Sequence, residues 1–462
     1  MKTKELHHLL YRAAFGPTPQ MVKELKGMTR EQVVNRLFDD ADRIQDLMII
    51  PKPETNDKGE VGPLKTVGLI LKSQKEKDLL NLAWIDRMTV AKASLREKMI
   101  LFWHNHFATS APFGWLMQVQ HNTLRGLALG SFVEMLHEIS KDPAMIIWLN
   151  NQQNKKNAPN ENFAREVMEL FTLGEGNGYT ERDIKEAARA FTGWFVNQKG
   201  EFEFNEKQHD DDIKTVFGNT GNWNGNHIID FLLAKQETAT YLCRKIYKTF
   251  VNNTVDEKRV ADLASRFRAS NYNIEDLMRH IFMSDWFYES ENIGAVICSP
   301  VELIVRFKKL VQFQVDDKQQ LAYQDLLGQT LFSPPNVAGW KGGRAWIDSS
   351  TLLFRLNIPT TIINSNAIKL NKRPAFEDKD RGEKPQKDQQ VAVKSDWGVL
   401  VNYFKDVPAE QLTDEVIQFF ITAPATRISS ALIEQHVDTS TPQRRIITTI
   451  AAVMKLPEFQ LI

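Results

Sequence analysis

The chain has 462 residues, 42% hydrophobic and 25% charged, a balance that suits a globular protein with a large core rather than a disordered one. Lysine plus arginine and aspartate plus glutamate both number 58, so no global field draws nucleic acid or an anionic membrane to the surface, and nucleic-acid binding is not expected. Cys243 and Cys298 are the only cysteines; in helix-like surroundings and far apart, they read as buried thiols, not as a disulfide framework or a thiolate metal site.

Met1-Lys2-Thr3-Lys4-Glu5 leads straight into an amphipathic segment, without the apolar core and small-residue cleavage site of a secretory signal. A cytoplasmic, water-soluble chain is the expectation. No stretch reaches the roughly 18 uninterrupted apolar residues of a membrane span. Helical periodicity dominates. Ser94 with Glu97 and Ser131 with Glu134 read as capping boxes ahead of apolar runs. Asn160 opens a helix through about Phe171 that Gly174 stops, and Thr180 with Asp183 starts another that ends near Gly193. Trp194-Phe195-Val196 and Phe202-Glu203-Phe204, joined across Lys199-Gly200, alternate as a short β-hairpin. From about Asp210 to Asn226 the chain is rich in Asp, Gly and Asn and reads as an ordered loop. Residues 332–348 form a second long loop with two prolines and two tryptophans.

These elements predict an all-α, mainly helical fold with a small β-hairpin insertion at about 194–226 inside a main body of residues 1–368. A charged stretch at 369–393 reads as a linker or exposed insertion, and 394–462 as further helices packed on the body.

Four segments resemble one bacterial family, the domain of unknown function numbered 1800. They are His8-Leu-Leu-Tyr-Arg-Ala-Ala-Phe-Gly-Pro17, Phe102-Trp-His-Asn-His-Phe107, Asn160 through Gly174 running on to Gly178-Tyr-Thr180 and Thr192-Gly-Trp194, and Pro334-Pro-Asn-Val-Ala-Gly-Trp340. The resemblance implies a helical fold and, by family habit, a gene neighbour that looks like a sulfatase or alkaline phosphatase. It also implies export for many relatives, against the cytoplasmic expectation.

Several polar residues stand out as site candidates. His104 and His106 are metal-ligand types, yet two residues apart on a helix they point about 200° away from each other. One capping the last carbonyls and the other packing in the core is the structural alternative. Glu161, Arg165, Glu169 and Thr172 share one helix stripe; Glu161, Arg165 and Glu169 line a catalytic cleft with Asn160, or the stripe simply faces water. His209 and Asp210, in His209-Asp210-Asp211-Asp212, are either metal ligands or part of a solvated acidic loop. Asn336, Trp340, Arg344 and Trp346 suit a ligand-binding aromatic platform, or the tryptophans anchor the loop. No phosphate loop and no Gly-x-Ser-x-Gly elbow occurs.

Two functions follow as expectations. The leading one is a polar-cleft enzyme or metal-binding protein, with a divalent metal ion assisting hydrolysis at a site joining His104 or His106, Glu161 and His209. The alternative is a noncatalytic helical binder or scaffold for a sulfatase- or phosphatase-like partner or a glycan.

Overall fold

The helix Ser94–His106 shows how the architecture is built: every residue in it except Asn105 is buried. A helix apolar or paired on all sides must lie inside, and this one does. In the computed structural model it packs against the helices Thr3–Ala14, Arg30–Ala41 and Gly114–Leu127. The long helix Val67–Val90 lies on Gly114–Leu127 and on Pro300–Val311. The structure describes residues 1–54, 67–364, 393–424 and 428–462, so the charged stretch read as a linker falls almost wholly outside it. Among the described residues there are twenty-one α-helices and two small antiparallel sheets, the mainly helical fold expected. None of these helices is long and apolar enough to cross a membrane.

Charged residues enter the core only with partners. Arg96 donates to the carbonyls of Ala41 (2.6 Å) and Arg125 (2.7 Å). Glu97 meets Arg125 at 2.5 Å and accepts from the Trp84 indole N–H at 2.9 Å, while Lys98 pairs with Glu302. The Ser94/Glu97 capping box is therefore corrected: Ala93 is the cap residue, Ser94 Oγ donates to the Ala91 carbonyl, and Glu97 is held by Arg125. A buried ion pair claims that carboxylate more strongly than an exposed cap would. Elsewhere the start signals hold, since Ser131 Oγ accepts from Glu134 N and Thr180 forms the reciprocal box with Asp183.

The strands Trp194–Val196 and Phe202–Phe204 pair as predicted, with Trp194 opposite Phe204. A second hairpin, Lys214–Val216 with Asn219–Gly221, lies in the segment read as loop. Its turn places Phe217 and Gly218 at positive φ, 51° and 80°. Three-residue strands flanked by Asp and Asn carry almost no alternation, which is why they escape a pattern reading.

After the undescribed stretch, the helices Gly398–Phe404, Leu412–Phe420 and Pro442–Met454 pack together, and the last lies on Ser349–Asn364. Arg306 ties them to the body through the carbonyls of Phe459 (2.7 Å) and Phe420 (2.9 Å). One continuous apolar cluster runs from Leu6 to Ile462. Cys243 and Cys298 are free buried thiols within it.

Candidate functional site

The C-terminal turn of Ser94–His106 sends three consecutive side chains to three different parts of the chain. His104 Nε2 accepts from the Phe332 backbone N–H at 3.1 Å, and its ring sits among Trp84, Phe332 and Trp340. Burial pushes this imidazole down to about 3. Asn105 Oδ1 accepts from Trp340 N at 2.7 Å while its Nδ2 donates to Trp340 O at 3.3 Å. That pairing needs Gly339, because a Cβ there would lie 2.3 Å from Asn105 Oδ1. His106 Nε2 bonds the Phe171 carbonyl at 3.1 Å, and its Nδ1 lies 2.8 Å from Lys245 Nζ.

The tautomer of His106 follows from its neighbours. A carbonyl only accepts, so Nε2 carries the hydrogen and Nδ1 presents its lone pair to Lys245. Burial, with the positive charge of Lys245 second, pushes His106 well below its ordinary value. Burial alone brings Lys245 down to about 8. Lys245 was not singled out in the sequence. Its only signal there is its place at the edge of an apolar stripe, beside Leu242 and Ile246 and four residues after Tyr241.

The next segment is α-helical over Asn162–Glu166 and π-helical over Val167–Thr172. Glu161, Arg165 and Glu169 do come together, with Arg165 reaching Glu161 at 3.2 Å and Glu169 at 3.4 Å. Glu181, from the following helix, completes the cluster at 2.8 Å, and its hydrogen bonds chiefly hold Arg165 above its ordinary value. Thr172 departs from that stripe. The wider π turn rotates it inward, where it is fully buried and donates to Val167 O at 2.7 Å. The carbonyls at the helix end are met by Tyr241 Oη on Leu170 (3.1 Å) and by His106 on Phe171. Asn160 acts locally, its Oδ1 accepting from Asn162 N.

His209 Nδ1 donates to Thr192 O at 2.8 Å, with Phe204 against its ring. Asp210 accepts from Arg189 at 2.7 and 3.2 Å. Burial would raise the Asp210 carboxyl, but Arg189 outweighs it and holds the group below the usual range.

The hydrogen bonds of His104, His106, His209 and Asp210 run to Phe332 N, to Phe171 O with Lys245, to Thr192 O and to Arg189, not to a shared centre with Glu161, and the described residues contain no group of three or more His, Cys, Asp or Glu side chains that could hold a metal ion. Of the two readings of the aromatic loop, burial fits anchoring: Trp340 and Trp346 are 6% and 7% exposed and hold the loop from inside. Asn336 is outward and its Oδ1 accepts from Ala338 N; Lys341 and Arg344 are also exposed, and neither forms an ion pair with another described residue. Two surface hollows of about 330 and 390 Å³, one beside Gln32 and Arg36 and the other beside Arg259 and Trp286, include none of these residues.

A family model described as "Protein of unknown function (DUF1800)" matches residues 8–461. No curated protein and no solved structure matches the chain.

Proposed function

Since the chain belongs to the DUF1800 family, whose description assigns no activity, we propose from its own geometry that it is a helical binding protein. The loop 334–346 is its contact surface and an acidic face of a protein partner is what it engages. One observation carries this reading: Trp340 and Trp346 are buried and Asn105 clamps the backbone between them and the prolines, while Asn336, Lys341 and Arg344 face outward. A loop held rigid from below loses little entropy on binding, and cationic side chains without internal partners favour a negative surface. Asp348, at the loop's end, is committed to capping the next helix; its bonds to Ser350 and Thr351 hold it down at about 2.

The sulfatase- or phosphatase-like neighbour implied by the family resemblance is the partner to test. With both proteins purified, Lys341→Glu plus Arg344→Glu is expected to weaken binding at least about ten-fold, mainly through the association rate, and to flatten its salt dependence. Equal affinity of the double variant, or no binding of that partner at all, would overturn the proposal.

Metal-assisted hydrolysis at His104, Glu161 and His209 draws no support from the arrangement of these residues. Stoichiometric zinc, manganese or iron in chelator-free protein, lost on His104→Ala plus Glu161→Ala, would reverse that preference.

A further inference from the structure

Among the described residues, the enclosed lysines are held in different ways. Lys98 faces the Glu302 carboxylate, and Lys214 donates to the carbonyls of Asp210 and Asp212. Lys309 donates to the Ala14 carbonyl at 2.9 Å and Ser94 Oγ at 3.5 Å. Lys245 alone is held by an imidazole nitrogen, at 2.8 Å, in a ring whose other nitrogen is already committed to Phe171 O. Among the described residues no carboxylate pairs with it. The titratable groups beside it are His106 and Tyr241, whose ring centroid lies 5.3 Å from Nζ.

Lys245 is half-buried, with its amine turned to the buried His106 ring and no carboxylate beside it among the described residues, so the neutral amine is favoured. Accepting one N–H, His106 turns the remaining N–H and the nitrogen lone pair away from its own ring. A desolvated lysine with an oriented lone pair is the arrangement that makes an amine a nucleophile at neutral pH.

We propose that Lys245 is a nucleophilic amine, positioned by His106, that takes a small aldehyde or ketone as an imine. The Nζ lone pair attacks the carbonyl carbon and the C=O π pair moves to oxygen. Both N–H protons of the amine then leave with that oxygen as water, and a C=N bond remains. No oxidant or reductant is needed. His106 is a positioning residue in this scheme, since it touches the amine and not the carbonyl. The inference stands apart from the loop-binding reading, because Lys245 is not among the loop's contact residues.

The test uses the wild-type chain with limiting propionaldehyde and cyanoborohydride, which reduces an imine to a stable secondary amine, followed by peptide mass spectrometry. Lys309 is the internal control: burial lowers it to about 8 as well, but no base holds it. Lys245 should be alkylated at least about ten-fold faster than Lys309, with a rate that levels off above about pH 8. Lys245→Arg should abolish that product with the helical circular dichroism retained. Lys245 left unlabelled, labelled no faster than Lys309, or still rising beyond pH 9 would overturn the proposal.

Discussion

Asn105 joins positions 235 residues apart with two hydrogen bonds to one backbone unit. Asn105→Ala leaves the N–H and C=O of Trp340 without partners, which costs about 1–3 kcal/mol where such groups are buried. Urea unfolding should register that loss, and trypsin should cut at Lys341 or Arg344 faster; an unchanged midpoint and cleavage rate would contradict the clamp. Two ion pairs make a sharper contrast. Glu97→Gln strands the Arg125 guanidinium in the core and is expected to cost about 3–5 kcal/mol. Arg165, 32% exposed among its carboxylates, should cost under about 1 kcal/mol as Arg165→Ala, and less still in high salt. Equal losses from the two variants would show that burial does not set their worth. The sequence made the Glu161–Arg165–Glu169 cluster legible because its members are four residues apart on one helix. It did not reveal the Glu97–Arg125 pair, whose members are 28 residues apart on two helices.

At the scale of elements, local signals were read well where both partners lie within one turn and no distant group competes for them. Thr180 and Asp183 cap as expected, and the first hairpin pairs the two strands expected. The failures within helices come from competition by a distant partner or from an unusual helical repeat. Glu97 left its cap for Arg125, and the π turn over Val167–Thr172 carried Thr172 off the polar stripe. That π segment depends on its ending. Gly174 sits at φ +84°, and an added Cβ would lie 2.9 Å from the Tyr241 ring. Gly174→Ala is therefore expected to destabilise by about 1–3 kcal/mol from backbone strain alone. It should also move Tyr241 from Leu170 O, which hydrogen exchange at residues 170–174 would detect. Tyr241→Phe, which removes only that bond, should cost about 0.5–1.5 kcal/mol.

For the whole molecule, the consequence of so many buried polar groups is a pH dependence. Burial pushes His7 to about 4 and His104 to about 3, and holds His8, His106 and His121 well below their ordinary 6.5. Below pH 6.5 the unfolded chain takes up protons that the folded chain refuses, so the stability these imidazoles contribute is full above that pH and falls as acid is added. Asp142 runs the opposite way. Burial raises its carboxyl from 3.8 to about 7, so between those values the fold holds a proton that the unfolded chain releases, and this contribution weakens as pH rises. The imidazoles outnumber it, so unfolding near pH 5 should take up protons net, and urea stability should decline from pH 7.5 to 5. Asp142→Asn removes the opposing component and should steepen the decline. A flat profile would mean that the imidazoles stay accessible to protons in the folded state.

By itself the sequence determined the helical class, the helix starts at Ser131 and Thr180, the first hairpin, the buried thiols and the family resemblance, because each rests on composition or on residues a few positions apart. Tertiary packing alone decided what the motif residues do. His104, Asn105 and His106 look alike as a polar triplet, but helix geometry sends them toward Phe332, Trp340 and Phe171 with Lys245. Which partner meets a side chain is settled by segments that fold against it from 65 to 235 residues away, and no local pattern encodes that meeting.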